Sequence, residues 1–333
     1  MDRDALAQVG RVHHGGRDDP DLLDFSANTN PRVPEGVAAV YGGALAVARS
    51  YPDGYPRFCE AAAGFVGCEP DRVVPTPGGL AAIRLAVAGT VDPGDTALVP
   101  APSFGEYARE VRLQGGEPVF VDEASVLAAD PADHALAVVC TPNNPTGRAY
   151  PAEEVRAFAD RCRAAGTVLL VDEAFLGFTD RPSLAGREGV VVARSLTKLF
   201  GLPGLRAGYA VATGPLRDRL ETAAPPWALG APAAAVGTHC LRQDAFVAAT
   251  RERVARERDR MRRRLSARFD VAPSEAPFLL LAVGDADQVR REAEREGVAL
   301  RDARTFRGLD SHVRVAVRTR ADNDRLLTAL GVR

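Results

Sequence analysis

Lysine is almost absent from this chain. Among its 42 lysine and arginine residues Lys198 is the one lysine, and every other is an arginine. Imine chemistry therefore has a single side-chain amine to use, because a guanidinium stays protonated and cannot take its place. Cysteine is also sparse. Cys59, Cys68, Cys140, Cys162 and Cys240 are odd in number, scattered and never spaced as CxxC, which argues against a disulfide framework or a structural metal and leaves free buried thiols. Neither charge is in excess. A net charge of -2 gives no basis for expecting nucleic acid or a membrane surface as a partner. Long apolar runs are missing too: no stretch approaches the roughly 18 residues of a spanning helix, and nothing like a signal-peptide core follows Met1-Asp2-Arg3-Asp4. No membrane partner and a cytoplasmic location are the expectations.

What remains is the composition of an ordinary globular protein, 46% hydrophobic and 26% charged over 333 residues. After an irregular stretch of about 35 residues rich in Asp, Gly, Asn and Pro, short apolar segments alternate with helical spacing. Strands are predicted at 73–74, 97–99, 118–121, 135–140, 168–171 and 190–193, with helices at 81–88, 104–113 and 152–164 among them. That alternation predicts an α/β domain with a mostly parallel sheet covered on both faces. Past Gly214 the grain becomes finer. One long helical stretch is expected at 231–267, then strands at 278–283, 298–301 and 313–317 around a helix at 286–296, and a final helix from 321. The predicted organisation is a large α/β domain at 36–225 and a smaller α+β domain at 226–333 that also receives residues 1–35.

Ligands of parallel sheets collect at the carboxyl ends of strands, and three motifs fall at such positions. Thr141-Pro142-Asn143-Asn144-Pro145-Thr146-Gly147 offers a side-chain amide, Asp172-Glu173-Ala174-Phe175 a carboxylate, and Ser195-Leu196-Thr197-Lys198 an amine. Ser195 with Arg206 adds a small anion site. Each motif alone is modest, since Asn-Pro turns are common and an Asp at a strand end is most often a helix cap. Their order and strand context together are specific.

With these residues the chain resembles the fold-type I pyridoxal-phosphate enzymes of the aminotransferase class I/II superfamily over nearly its whole length. The resemblance implies pyridoxal 5'-phosphate as cofactor, bonded to Lys198, with Asp172 on the ring nitrogen and Asn144 on the ring hydroxyl oxygen. It also implies Ser195 and Arg206 on the cofactor phosphate, Phe104 stacked on the ring, and Tyr55 reaching the phosphate of a neighbouring subunit in a homodimer. Gly78-Gly79-Leu80 stands where relatives carry a Gly-Asn-Gly loop followed by polar residues. Backbone N–H groups at the helix start still suit a phosphate, but a hydroxyl or carboxylate usual there is missing.

Two branches of the superfamily compete. Histidinol-phosphate aminotransferases resemble the chain in the Asn-Asn-Pro-Thr-Gly turn and the Tyr51-Pro52-Asp53 segment. The L-threonine-O-3-phosphate decarboxylases of cobalamin biosynthesis resemble it in His14-Gly15-Gly16, Asp24-Phe25-Ser26-Ala27-Asn28, Phe104-Gly105-Glu106-Tyr107, Pro226-Trp227 and Arg314-Val315-Ala316-Val317-Arg318. The aminotransferases usually have tyrosine where Phe175 stands and glycine where Arg318 stands, so the decarboxylase is favoured. That reading implies a small phosphorylated amino acid as substrate, gripped by His14, Asn28, Arg314 and Arg318. The alternative for Arg318 is a solvated ion pair with Asp322 or Asp324. For Trp227 the alternatives are the cavity wall or the core between the domains.

Overall fold

The computed structural model describes residues 1–17 and 19–332. An N-terminal arm ends in a short strand, β1 (Leu23–Asp24). Seven strands then form one sheet: β2 (Val73–Thr76), β3 (Thr96–Ala101), β4 (Glu117–Asp122), β5 (Leu136–Cys140), β6 (Val168–Asp172), β7 (Val190–Ser195) and β8 (Gly208–Val211), in the order β2-β8-β7-β6-β5-β3-β4. Pairings among β3 to β7 are parallel, while β8 runs antiparallel to both β2 and β7. The central strands read Leu-Ala-Val-Val-Cys, Val-Leu-Leu-Val-Asp and Val-Val-Val-Ala-Arg-Ser. Such near-continuous apolar runs belong to strands buried on both faces. Alternate residues serve the two faces. Val139, Val171 and Val192 pack on one side, and Val138, Leu170 and Val191 on the other.

The fold is thus the mostly parallel α/β architecture that the sequence predicts, and its large sheet has one strand the prediction lacks. β8 is four residues long, opens on Gly208 and follows the turn after Lys198 rather than a helix, so no periodic pattern announces it. The long helical stretch is two helices, Ala231–Leu241 and Asp244–Leu265, broken at Arg242-Gln243. Asp244 opens the second, where a carboxylate suits the helix dipole, and Arg262, Arg263 and Arg264 close it.

The C-terminal part carries β9 (Asp270–Val271), β10 (Phe278–Ala282), β11 (Val298–Ala299), β12 (Arg301–Asp302) and β13 (His312–Ala316). An antiparallel sheet runs β12-β13-β10-β9, and β11 pairs in parallel with β1 of the arm. The expected strand at 298–301 is therefore two, divided at Leu300. All seven strands of the large sheet lie within 36–225 and every other strand lies outside it; we keep the two-domain division as a proposal.

Candidate active site

Register sets the site. Cys140 lies beside Asp172, Asp172 beside Ala193, and Ser195 beside Gly208, so the carboxyl ends of β5, β6 and β7 share one edge. A cavity of about 270 Å³ opens there, walled by these strand ends, the arm and the C-terminal sheet.

Lys198 sits in the short helix Leu196–Leu199, which the Ser195 hydroxyl caps by accepting from the Thr197 N–H at 3.3 Å. The arm clamps this helix: the Asn30 N–H donates to the Lys198 carbonyl at 3.0 Å, and Asn30 Nδ2 to the Leu199 carbonyl at 2.8 Å. Burial, followed by the Arg314 and Arg206 guanidiniums, lowers the Lys198 amine from 10.5 to about 8, against the opposing pull of Asp172. An amine so placed is neutral for an appreciable part of the time near pH 7 and can act as nucleophile and proton carrier.

Asp172 ends β6 and is 6% exposed. Its Oδ1 accepts from the Ala174 N–H at 2.9 Å and its Oδ2 from the Tyr107 hydroxyl at 2.6 Å. Burial raises its pKa, and those two donors counteract the rise.

A third cluster is built for a phosphate. Gly78, at φ 93°, precedes the helix Gly79–Ala88, and a Cβ there would lie 2.5 Å from Arg206 Nη2. A Cβ on Gly79 would lie 3.0 Å from Ser195 Cβ. Bare backbone, a guanidinium and the Ser195 and Thr197 hydroxyls, 2.7 Å apart, therefore meet at a helix N-terminus. The Leu80 side chain contributes no polar atom, but Ser195 and Thr197 supply hydroxyls beside the glycines.

Opposite stand two more guanidiniums. Arg314 is 5% exposed, donates to the Ser26 carbonyl at 2.9 Å and to Asn144 Oδ1, and lies over the Phe278 and Phe306 rings. With the Asn28 amide oriented to put its oxygen toward Arg314, that oxygen accepts from the guanidinium at 3.1 and 3.3 Å. Arg301, 7% exposed, donates to the His13 carbonyl and to Thr305 Oγ1 at 2.8 Å. Burial and the charge of Arg301 push Arg314 down to about 9, still a cation at neutral pH. Among the described residues neither guanidinium has a carboxylate within ion-pair distance. Buried charges are normally paired, so this pair is prepared for an anionic ligand.

Of the residues singled out in the sequence, Lys198, Asp172, Asn144, Ser195, Arg206, Phe104, Gly79, Leu80, His14, Asn28 and Arg314 all line this one cavity. His14 lies against Phe104, ring centres 5.4 Å apart, and its Nε2 meets Glu106 Oε1 at 2.8 Å. Gly78 adjoins the wall through Arg206.

Two expectations, those for Arg318 and Trp227, are not met within this chain. Arg318 is not in the cavity: Nε donates to Asp322 Oδ2 at 3.3 Å and Nη1 to the Asp24 carbonyl, which matches its alternative reading as an ion pair. Trp227 is neither wall nor core. It is 54% exposed and stacks on Tyr51 at 4.3 Å. Tyr55 lies in an open groove elsewhere, its hydroxyl donating to the Leu229 carbonyl at 2.8 Å; its role toward a second subunit stays a proposal. Sequence reasoning missed Arg301, whose position at a short strand's end was the available signal, and Phe306. Tyr107 was visible in the sequence as part of the Phe104–Tyr107 stretch at a helix start, without a role of its own.

The residues fit pyridoxal 5'-phosphate: one buried amine for the aldehyde, a strand-end carboxylate for the ring nitrogen, and a cradle whose glycines leave backbone bare for the phosphate. Fold and site together define a pyridoxal-phosphate enzyme of fold type I. The chain belongs to the aminotransferase class I and II family, whose model matches residues 26–330, and that family is pyridoxal-phosphate-dependent. A histidinol-phosphate aminotransferase of Halobacterium salinarum is 34% identical over 95% of this chain and 92% of its own. A protein of Caldanaerobacter subterraneus, provisionally named a threonine-phosphate decarboxylase, is 34% identical over 84% of this chain and 82% of its own. The crystal structure of L-threonine-O-3-phosphate decarboxylase from Porphyromonas gingivalis superposes with TM-score 0.84 at 25% identity, covering 93% of this chain and 98% of that one.

Proposed function

We propose that the protein decarboxylates L-threonine O-3-phosphate to (R)-1-aminopropan-2-ol phosphate, a step of cobalamin nucleotide-loop assembly. The observation that carries the reading is the pair of buried guanidiniums, Arg301 and Arg314, that share a cavity with Lys198 and lack carboxylate partners. A substrate with a carboxylate on one side of the reacting carbon and a phosphate on the other supplies two anions for two cations. Phe175 supports the same reading, since it brings an apolar ring into the cavity where the transaminating branch usually has a phenol.

Pyridoxal phosphate, when bound, withdraws electrons from the substrate carbon. The protein's part is to fix which bond at that carbon is exposed. Arg301 and Arg314, with Asn28 and His14, hold the anionic ends. The arm residues Val12–Gly15, with Phe104 and Phe306, form part of the cavity wall. Lys198 Nζ, with its lowered pKa, returns a proton to the carbon that has lost carbon dioxide.

Histidinol-phosphate transamination is the second reading, favoured by the 34% identity to the Halobacterium salinarum aminotransferase over 95% of the chain. Parallel incubations separate the two. Purified protein with pyridoxal phosphate and phosphothreonine is expected to release carbon dioxide with no amino acceptor present. Glutamate formed from histidinol phosphate and 2-oxoglutarate, without gas from phosphothreonine, would establish the second reading instead.

A further inference from the structure

Tyr107 is fully buried, 0% exposed, on the first turn of the helix Glu106–Leu113. Its hydroxyl donates to Asp172 Oδ2 at 2.6 Å, while Oδ1 is taken by the Ala174 N–H at 2.9 Å. Its ring meets Phe104 edge-on at 5.6 Å. A phenol buried this deeply cannot ionise beside a carboxylate, because desolvation and the Asp172 charge both raise its pKa, so it acts as a fixed donor.

We propose that Tyr107 is a positioning residue: by holding the second carboxylate oxygen of Asp172, its hydroxyl keeps that carboxylate charged and oriented for the cofactor's ring nitrogen. Tyr107 itself does not line the cavity. The charged or titratable groups facing Asp172 are Tyr107 from its helix, Cys140 from β5, Glu173 from the following turn, Arg194 from β7 and Lys198 from the short helix. Cys140, itself buried and raised well above its usual range, supplies no charge. Glu173 repels Asp172 but is paired with Arg194, whose nearest nitrogen lies 3.5 Å away. Within this set Tyr107 donates the one side-chain hydrogen bond Asp172 receives. Removing it leaves burial less opposed, so Asp172 takes up a proton at higher pH and loses its attraction for a protonated ring.

The test uses holoenzyme without substrate, so its outcome is independent of the decarboxylase assignment. Equilibrium dialysis of Tyr107→Phe is expected to show cofactor affinity reduced about tenfold at pH 7, the scale of one hydrogen bond to a charged group. The pH below which affinity and the visible band decline is expected to move upward. In an Asp172→Asn background the Tyr107→Phe change is expected to have almost no further effect, because no carboxylate remains to be held. An equal loss in both backgrounds, or an unmoved pH midpoint, would overturn the proposal and reduce Tyr107 to packing. Should Tyr107→Phe fail to fold, 3-fluorotyrosine at position 107, a stronger donor of nearly the same shape, is expected to move the midpoint downward. No movement there overturns the proposal equally.

Discussion

The amine of Lys198 is buried among two guanidiniums and one carboxylate, and its titration is therefore readable in stability. The folded chain releases the proton near pH 8, whereas the unfolded chain holds it to about 10.5. Between those values the unfolded state binds more protons, so stability rises with pH and is reduced below pH 8. Relative to Lys198→Met, the wild-type apoprotein is expected to gain on the order of 3 kcal/mol between pH 7 and 10.5, measured by urea unfolding of both. A difference independent of pH would place the amine in water. Lys198→Ala is expected to lose the visible absorbance of the holoenzyme and its turnover together, checked by spectrum and assay on one sample. At this scale the sequence was informative wherever a residue was scarce or ended a strand. Lys198 was visible as the one lysine, and Asp172 and Ser195 as the polar ends of apolar runs. Arg301 and Tyr107 were not legible in their roles, because Arg301 is one of many arginines and Tyr107 meets its partner from 65 positions away.

Among the elements, β8 matters most for what the sequence concealed. It sits between β2 and β7 and braces the phosphate cradle by close backbone packing. A Cβ on Gly208 would lie 2.6 Å from both the Arg194 carbonyl oxygen and the Gly78 carbonyl carbon. Backbone cannot rotate away as a side chain can, so Gly208→Ala is expected to destabilise by about 1–3 kcal/mol. It is also expected to weaken cofactor retention, measured by thermal unfolding and dialysis; unchanged retention would show that the cradle does not rest on β8. Beneath the site, Glu173 is fully buried against Arg194, Ser183 Oγ at 2.6 Å and the Leu184 N–H at 2.8 Å. Glu173→Ala leaves the Arg194 charge unpaired, for an expected cost of about 3–5 kcal/mol. A loss below about 1 kcal/mol in denaturant unfolding would contradict that. The central parallel strands were legible because burial on both faces forces unbroken apolar runs. The split of the C-terminal strand at Leu300 was not, since it depends on an arm folding back from the other end of the chain.

For the molecule as a whole, a net charge of -2 coexists with a cavity bordered by Lys198, Arg206, Arg301 and Arg314 against Asp172. The local field, rather than the overall one, draws in anions. No described helix is long and apolar enough to cross a membrane. Val47 and Tyr51, both exposed, line an open groove with Tyr55, and we propose a homodimer through this face. Light scattering is expected to give twice the chain's 35.3 kDa, and Tyr51→Glu to lower it; a monomeric mass for the wild type would leave Tyr55 without a second subunit to serve. The overall architecture was legible from alternation alone, whereas the pairing of anion grips across two ends of the chain required the folded molecule. The most direct measurement follows both fates of the reacting carbon in a single reaction: phosphothreonine labelled with carbon-13 in its carboxylate, turned over by the holoenzyme in deuterium oxide. One labelled carbon dioxide is expected for each aminopropanol phosphate, with one solvent deuteron on the carbon that lost it. Label retained in a keto acid, with the amino group passed to the cofactor, would contradict it.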